Sequence, residues 1–502
     1  MRFARWPWTW SCAAALALSC SNPLHAAPQL PADLEKRLAD PDERKRRAAV
    51  EELSRQNGVV ALQRLLVALS DSSAMVADEA QIALGAVDEE AEFALLFSKE
   101  GLGAKDEMLR LRCAEALGRI ESKLPAARLS KLLSDKSPQV RRALAASIER
   151  LVRRQEVVEE PPGSLRKELE QMCARDPSTG VRAASVMALD AFAPGLGLPR
   201  LTSLAGDKSF EVRSAALLAA EDLSADQELQ LARITLKDPH SSVRLQSVLL
   251  LARVANRDAA LLLAEALENE SSARHANAIV AVLRKLSGSK AGREPRYWQQ
   301  WAQGLAVDWK PTESTAESPE AEPMSATLVG LPIFSAHVTF LIDMSGSMWE
   351  ERDGKTRKAR AEKEMERALG ALAPTTEFNV IPFTLTPLPW QASLQPATPK
   401  NVAAALSFFA KRSDHGKGNF WDAMQLALED PKVDSLVLLG DGAPTGGTRW
   451  NVELMRTLFE EQNRFRLVSL DAVLVDCSKT LTRTWAAWCE KSGGRTLSTD
   501  LR

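Results

Sequence analysis

The sequence lacks the charge imbalance that favours nucleic acid or an anionic membrane as a partner. Its 64 Lys and Arg residues nearly balance its 66 Asp and Glu residues, which leaves a formal net charge of −2. Charged residues form 26% of the chain and hydrophobic residues 45%, as in ordinary globular proteins. We therefore expect no nucleic acid partner and no attraction to an anionic membrane surface.

Beyond its first residues the sequence also lacks the run of roughly 20 apolar residues that a membrane-spanning helix requires. At the N-terminus, arginines precede an apolar run over residues 6–18, and small residues follow it. This pattern is typical of a secretory signal peptide, here over residues 1–26. It predicts an exported protein, located in the periplasm, in the cell envelope or outside the cell. Cys20 leaves open a lipid anchor of the bacterial kind, although the residues before it match that motif poorly.

Cysteine is scarce after residue 26, and no two cysteines have the C-x-x-C spacing of a zinc or redox site. Cys113 and Cys173 occupy apolar positions of predicted helices, where a small buried hydrophobic residue is the simplest interpretation. Cys477 and Cys489 lie close in sequence, and an exported protein permits a disulfide between them. That disulfide stays an open alternative.

Motifs of catalysis are missing too. The chain has five histidines, and none lies in a recognised arrangement with Ser or Cys. It contains no phosphate-binding loop, no G-x-S-x-G and no H-E-x-x-H motif. The sequence therefore predicts a protein that is not an enzyme.

A repeated pattern runs through the N-terminal half, with a period of roughly 30 to 40 residues. Each copy has an acidic turn, small residues, Val-Arg and an Ala/Leu-rich stretch, as in DKSPQVRRALAAS and DPHSSVRLQSVLLL. Apolar residues recur with the spacing of an amphipathic helix that buries one face. One helix pair cannot bury that face alone, so about eight pairs are expected to stack into a right-handed α-solenoid over residues 27–290.

The repeat pattern places an arginine at the same point in most copies. These residues are Arg46, Arg112, Arg141, Arg182, Arg213, Arg244 and Arg274, with Ala77 at that point in the second copy. We expect the repeated Asp and Arg side chains to pair between adjacent turns rather than to bind a ligand. The pattern D-x-x-x-x-V-R-x-x-A-x-x-A-L resembles HEAT repeats of the short bacterial kind, over roughly half the chain. The resemblance implies a scaffold with an extended protein-binding surface.

Residues 291–328 are predicted to separate the two halves. RYWQQWAQGL is expected to form a short amphipathic helix with Trp298 and Trp301 on nearly one face, and to cover the apolar face of the last repeat. A Pro, Glu, Ser and Thr run between residues 311 and 325 cannot bury enough surface to fold, so we expect a flexible acidic linker there.

From about residue 329 to residue 502, short apolar strands alternate with helices, as in HVTFLID, RKARAEKEMERALGAL and DSLVLLG. This order predicts a doubly wound α/β domain with a mostly parallel sheet that is covered on both faces. The chain is therefore predicted to be multidomain, with an all-α solenoid before an α/β domain. Ligands of such sheets bind beyond the carboxyl ends of the strands.

Polar loops follow two of the predicted strands. Asp343, Ser345 and Ser347 alternate along the first loop, which directs three oxygen atoms to one place. Asp441 follows another apolar strand, in Gly-Asp-Gly. Carboxylate and hydroxyl oxygens suit a hard divalent cation that keeps some of its water. A Gly-rich turn, HGKGNFWDAM, lies between the two loops in sequence.

Together these segments resemble the von Willebrand factor type A (VWA) domain and its metal-ion-dependent adhesion site, known as MIDAS, over about residues 329–502. The resemblance implies a Rossmann-like fold in which Asp343, Ser345 and Ser347 bind Mg²⁺, Mn²⁺ or Ca²⁺. It also implies that a carboxylate of a partner protein completes the coordination of the cation.

The Gly-rich turn HGKGNFWDAM corresponds to the third loop of the family's site, and it departs from the family pattern. The family usually has a threonine ligand there, and the aligned residue is Gly418. Asn419 could supply an amide oxygen in its place, or a water could fill the gap. The family's Thr-Asp-Gly is Gly-Asp-Gly here, which keeps Asp441 as a candidate ligand.

The function predicted from these features is that of an exported, non-enzymatic binding or adhesion-type scaffold. A divalent-cation site in the VWA-like domain would capture a carboxylate of a protein partner, and the solenoid would give a second protein-binding surface. Two alternatives stay open: a metal-assisted hydrolase that uses Asp343 and Asp441, and a metal-free structural protein of the envelope.

Overall fold

The structure is a computed structural model that describes residues 30–158, 163–192, 195–311, 326–352 and 354–499. Its N-terminal part consists of successive helices. The predicted signal peptide with Cys20, and most of the predicted acidic linker, lie outside the described residues. The helices of this part are α1 (Ala32–Leu38), α2 (Glu43–Leu53), α3 (Val59–Ala68), α4 (Ala74–Ala83), α5 (Glu90–Leu96), α6 (Glu107–Leu117), α7 (Ala126–Leu132), α8 (Pro138–Arg153), α9 (Ser164–Arg175), α10 (Thr179–Asp190), α11 (Leu198–Ala205), α12 (Phe210–Leu218), α13 (Ala225–Thr235), α14 (Ser241–Val254), α15 (Arg257–Asn269), α16 (Ala273–Ser287) and α17 (Pro295–Gln303).

The second helix of each pair begins at a polar capping residue. Asp42, Asp106, Ser137 and Ser178 each accept a hydrogen bond from a backbone N–H of the first turn that follows, in α2, α6, α8 and α10. The Ala and Leu residues of successive pairs join one continuous core that extends from Leu34 to Ala302. The prediction of stacked helix pairs in an α-solenoid is confirmed.

Ion pairs connect most turns of the solenoid to the next. In six places an arginine near the start of a helix binds the acidic residue of the following repeat, whose carboxylate also accepts a backbone N–H of its own turn. The pairs are Arg46–Asp71, Arg110–Asp135, Arg141–Asp176, Arg182–Asp207, Arg213–Asp238 and Arg244–Glu270. The repeated charges are therefore structural, as the sequence indicated.

Two members of the predicted arginine series were placed wrongly. In the third repeat Arg110, not Arg112, stands four residues after the capping residue Asp106 and binds Asp135. Arg274 stands two residues after its capping residue, Ser272, and donates to the Leu467 carbonyl instead of joining the ion-pair series. The turns between repeats differ in length by a few residues. The spacing assumed from the sequence therefore selected the wrong residue in these two repeats.

Helix α17 follows the last helix pair. Trp298 is fully buried among residues of the solenoid core, and its indole N–H donates to the Gly292 carbonyl at 2.8 Å. Trp301 lies edge-on to Trp298, with ring centroids 5.8 Å apart. Since α17 packs against α15, it gives the last repeat the apolar neighbour that it would otherwise lack.

Six strands form the main sheet of the C-terminal part: β1 (His337–Asp343), β2 (Glu377–Phe383), β3 (Gln395–Pro396), β4 (Ser435–Gly440), β5 (Ser469–Val475) and β6 (Thr496–Thr499). Their order is β6-β5-β4-β1-β2-β3, and every pair is parallel except β2 with β3. Short pairs of strands elsewhere join Leu124–Pro125 to Val157–Val158, Thr327–Leu328 to Leu331–Pro332, and Glu351–Arg352 to Lys355–Thr356.

Five further helices cover the sheet: α18 (Arg357–Gly370), α19 (Pro399–Ala410), α20 (Phe420–Ala427), α21 (Val452–Asn463) and α22 (Lys479–Lys491). Helices α18 and α19 share one core with one face of the sheet, and α20, α21 and α22 share a second core with the other face. The first of these cores already includes Ala326 and Leu328. The predicted doubly wound α/β fold is confirmed.

The strand order places the polar loops together. Because β1 and β4 are neighbours in the middle of the sheet and the chain continues outward from them in opposite directions, their carboxyl ends flank a topological switch point. Asp343 ends β1, and Asp441 directly follows β4. The fold thus brings two carboxylates that are distant in sequence to one edge of the sheet.

All four described cysteines are free. Cys489, on α22, is buried in the core between that helix and the sheet, and Cys477 is partly exposed. Burial raises the pKa of the Cys489 thiol to about 12. The disulfide between Cys477 and Cys489 that the sequence left open is not formed in this structure.

The α/β part lies against the solenoid through α21 and the segments on either side of it. Arg150 of α8 binds Glu461 at 2.6 Å, and Arg464 binds Glu149 of α8 at 2.7 Å. Phe465 is buried within the solenoid core. The two parts of the chain are therefore joined by ion pairs and by apolar burial, and not by a linker alone.

Candidate metal site

The first loop turns sharply after β1. The Asp343 carboxylate accepts the backbone N–H of Ser345 at 2.7 Å, and a short 3₁₀ helix begins at Gly346. The backbone at Ser345 pairs with Gly416, and Gly346 donates to the Gly416 carbonyl at 3.1 Å. The first loop is therefore held against the Gly-rich third loop.

Four oxygen-bearing side chains meet where the sequence predicted them. The Ser347 hydroxyl lies 3.2 Å from the Ser345 hydroxyl and donates to the Asp441 carboxylate at 2.6 Å. The other Asp441 oxygen accepts the Ala443 N–H at 2.9 Å. Asp343 and Asp441 are close enough for the charge of Asp441 to act on Asp343. The structure thus brings Asp343, Ser345, Ser347 and Asp441 into one cluster.

Close contact with Asp343 explains the glycine that ends β4. A Cβ on Gly440 would lie 2.6 Å from the Asp343 Cβ and 2.9 Å from a carboxylate oxygen. Only a residue without a side chain allows β1 and β4 to pair at this point while Asp343 faces the loop that contains Asp441. The glycine is thus part of the site.

Asp343 is buried, with 4% of its surface exposed. Burial, and next the negative charge of Asp441, raise the pKa of the Asp343 carboxyl to about 7. The guanidinium of Arg357 donates to the Ser347 carbonyl at 2.9 Å but binds the Asp476 carboxylate at 2.7 Å. Arg357 is thus already paired, and among the ion pairs of the described residues none involves Asp343 or Asp441.

Gly418 lies beside this cluster, where the family pattern has a threonine. A Cβ at this position would stand 3.4 Å from an oxygen of Asp343 and 3.4 Å from the Ser345 Cβ, so the position faces the site. The Gly418 N–H donates to the Thr445 hydroxyl at 2.7 Å, and its carbonyl accepts the N–H groups of Thr445 and Gly446. The loop after Asp441 therefore holds the third loop in place through these hydrogen bonds.

Asn419 does not join the cluster. Its side-chain oxygen caps α20 by accepting the Asp422 N–H at 3.2 Å, and its amide nitrogen donates to the Leu385 carbonyl and to Asp422. The residue is 2% exposed and fully occupied by these contacts. The geometry gives no support to Asn419 as a cation ligand, because a helix cap uses the oxygen that the prediction assigned to the metal.

Two nearby polar residues outside the predicted set of ligands have clear roles here. Asp422 binds Thr448 and Asn419 and so ties α20 to the loop after β4. Thr445 holds Gly418. For Thr445 the signal in the sequence was the closely spaced hydroxyls of the APTGGT stretch, and its partner Gly418 lies 27 residues away.

The donor set fits a hard divalent cation. Two carboxylates and two hydroxyls offer oxygen atoms alone, which is the chemistry of Mg²⁺, Mn²⁺ or Ca²⁺. Among the described residues no three His, Cys, Asp or Glu side chains gather into one group, so hydroxyls and water would have to complete the coordination. When bound, the cation would neutralise the paired carboxylates and attract an anionic ligand.

Comparisons with known proteins find similarity to portions of the chain. No family model matches the sequence. A stretch of 130 residues is 35% identical to human inter-alpha-trypsin inhibitor heavy chain H4, and the mouse heavy chain 4 is 33% identical over 129 residues. These stretches make up 24% and 23% of this chain and 13% of each relative, so the chain matches only a small part of the relatives' length.

Two solved structures show a weak similarity to portions of the chain. A von Willebrand factor type A protein from Catenulispora acidiphila covers 32% of this chain and 38% of its own, with 16% identity and a TM-score of 0.27. The Escherichia coli protein YibA covers 51% of this chain and 96% of its own, with 19% identity and a TM-score of 0.35. Likeness at this level says nothing of the function of this chain.

None of the helices in the described ranges has both the length and the apolar composition needed to cross a membrane.

Proposed function

We propose that the protein is an exported, non-enzymatic binding scaffold whose α/β domain holds a divalent cation and captures a carboxylate of a protein partner through it. The ligands from the protein are Asp343, Ser345, Ser347 and Asp441. The HEAT-like solenoid gives a second protein-binding surface, and the signal-like residues 1–26 support export.

The observation that carries the proposal is the convergence of these four side chains at the switch point of the sheet. Ser347 lies within hydrogen-bond distance of both Ser345 and Asp441, although 94 residues separate Ser347 from Asp441. Two carboxylates beside each other are costly when buried without a compensating charge. A cation between them removes that cost, and its remaining positions are open to water or to an incoming carboxylate.

A binding role agrees with the residues around the site. His415, the histidine nearest in sequence to the third loop, is exposed and contacts Trp349 and the Ser413 carbonyl. Asp422 is engaged with Thr448 and Asn419. Neither residue is placed as a general base beside the carboxylates, which is what a metal-assisted hydrolase would need.

The direct test is calorimetric titration of Mn²⁺, Mg²⁺ and Ca²⁺ into the full chain and into an Asp343→Asn variant. Asparagine keeps the shape of the side chain and removes its charge. Asp471→Asn is the matched control, since Asp471 is also a buried aspartate on the sheet but contacts Arg495 instead of the cluster.

We expect saturable binding of at least one cation to the natural chain and to Asp471→Asn, and none to Asp343→Asn. Equal binding to both variants would place any cation elsewhere. Failure of the natural chain to bind up to millimolar cation would refute the site altogether.

A further inference from the structure

The segment that follows Asp441 connects the candidate metal site to the solenoid. It runs from Asp441 to Asn451, where α21 is capped. Its first residues contact the site, since Ser347 binds Asp441 and Thr445 holds Gly418. Its last residues contact α4 and α6, on the other side of the interface. We call residues 441–451 the bridging loop.

One solenoid aspartate holds the end of the bridging loop. Asp78 of α4 is fully buried and accepts the backbone N–H groups of Trp450 and Asn451 at 2.6 and 2.8 Å. Its other oxygen accepts from Arg112 of α6 at 2.7 Å. A carboxylate that accepts two backbone N–H groups beside the first turn of α21 also favours that helix start through the helix dipole. Asp78 therefore acts as a cap that comes from another part of the chain.

Arg449 extends from the bridging loop into the solenoid. Its guanidinium donates to Glu115 at 2.7 Å and to Gln81 at 2.9 Å, and it is 2% exposed. Arg112 donates to Gln81 and also to the Thr448 carbonyl at 2.8 Å. Two arginines thus face two acidic side chains, and the buried group is neutral as a whole. Such a network strongly favours one arrangement, because moving any member leaves a buried charge without a partner.

A chain of contacts leads from this network back to the site. Thr448 donates its hydroxyl to Asp422, and its backbone N–H lies 3.3 Å from the same carboxylate. Asp422 accepts from the amide of Asn419 at 2.7 Å. Asn419 adjoins Gly418, whose Cβ position faces Asp343 and Ser345. A displacement of Thr448 would therefore reach the third loop through two hydrogen-bonded side chains.

Close packing leaves the bridging loop little room to move independently. Gly447 has φ +98°, and a Cβ there would overlap the Asn419 side chain. A Cβ on Gly446 would lie 2.8 Å from the Lys417 Cβ. The backbone of the bridging loop thus packs directly against side chains of the third loop. A contact that holds one loop in place therefore also restricts the other.

We propose that Asp78 of the solenoid is a positioning residue for the metal site, acting through the bridging loop to hold Asp441 and the third loop in their cation-binding arrangement. The proposal rests on the proposed function, since it assumes that a cation binds to Asp343, Ser345, Ser347 and Asp441. It assigns to the solenoid a role in the affinity of a site to which it contributes no ligand.

The test is the Mn²⁺ affinity of the full chain, measured by calorimetry, in Asp78→Asn and in two matched controls. Asp207→Asn makes the same change at a solenoid aspartate that pairs with Arg182 instead of the bridging loop. Glu149→Gln weakens the interface at Arg464, beyond the bridging loop. Thr448→Val is a fourth variant, because it breaks the contact with Asp422 on the surface and does not disturb the buried network. Circular dichroism verifies that each variant is folded.

We expect Asp78→Asn and Thr448→Val to bind Mn²⁺ at least fivefold more weakly than the natural chain, and both controls to stay within twofold of it. Binding and docking must influence each other equally, so Mn²⁺ should also slow hydrogen exchange at the Trp450 and Asn451 amides. Normal affinity in folded Asp78→Asn and Thr448→Val would overturn the proposal while the proposed function stands. If Asp78→Asn fails to fold, the result for Thr448→Val decides in the same way. Absence of Mn²⁺ binding to the natural chain would overturn both.

Discussion

Replacing Gly418 by threonine should strengthen the metal site. The position faces the cluster, because a Cβ there would stand 3.4 Å from an Asp343 oxygen. The φ angle of Gly418 is not in the left-handed region, so the backbone accepts an L side chain without that strain. Contacts of 3.4 Å are tight but require shifts of only a few tenths of an ångström. The substitution thus adds an oxygen atom beside the ligands at a small steric cost.

The size of the effect follows from what the hydroxyl replaces. Without it, a water must occupy that part of the coordination shell, and immobilising a water costs up to about 2 kcal/mol. A hydroxyl fixed on the third loop avoids much of that cost, which corresponds to cation binding that is up to about 30-fold tighter. The crowding at Asp343 and Ser345 reduces the gain, so we expect an increase of about three- to tenfold.

Valine is the matched control, since it has the shape of threonine without the hydroxyl. Calorimetric titration of Mn²⁺ into Gly418→Thr, Gly418→Val and the natural chain separates the added oxygen from the added bulk. We expect the threonine variant to bind more tightly than the natural chain and the valine variant to bind no better. Equal Mn²⁺ affinities of the threonine and valine variants would refute the inference that position 418 faces the cation, even if the four side chains bind it.

Two further predictions concern the solenoid. Arg141→Gln should lower the free energy of unfolding by about 2 to 3 kcal/mol in urea titrations, because it leaves the largely buried Asp176 with only the N–H of Ser178. Arg142→Gln, at the partly exposed neighbour, should cost less than about 0.5 kcal/mol, and equal losses would contradict a structural role for the ion-pair series. Burial lowers the pKa of His275 to about 4, so its imidazole stays neutral in the folded chain. The folded chain therefore loses stability as the pH falls from about 6.5 towards 4. His275→Gln should reduce that loss by at most about 3 kcal/mol, as judged from urea unfolding at pH 7 and pH 4.5, and an unchanged pH dependence would show that His275 does not contribute.

The fold could be predicted from the sequence because its local and its global signals agree. Each helix pair has a polar cap and one apolar face, and the stacked arrangement is the way to bury that face repeatedly. Apolar strands separated by helices leave few topologies other than a doubly wound sheet. The exact repeat register was less secure. Arginines lie at different distances after the capping residues: Arg110 and Arg112 follow Asp106 by four and six positions, and Arg274 follows Ser272 by two.

The cluster of oxygen-bearing side chains was predictable for the residues that directly follow strands. Asp343, Ser345, Ser347 and Asp441 come together because parallel strands carry their carboxyl ends to one edge, whatever the packing elsewhere. Asn419 was not predictable in this way. Its place depends on whether the amide caps α20 or turns towards the cation, and the capping contact prevails in the structure. The role of Thr445 depends on the path of a loop, which no periodic pattern determines.

The contact between the two parts of the chain left a trace in the sequence that can be recognised afterwards. Helices α4 and α6 carry Asp78, Gln81, Arg112 and Glu115 where a second apolar or a solvent-facing surface would be expected, and all four side chains are buried. Charged residues are rarely buried unless they are paired. Asp78 and Glu115 carry two negative charges, and Arg112 supplies only one positive charge. Arg449, which lies 334 residues after Glu115, supplies the second. The charge that completes a buried group can therefore identify its partner, and here it identifies the loop that follows Asp441.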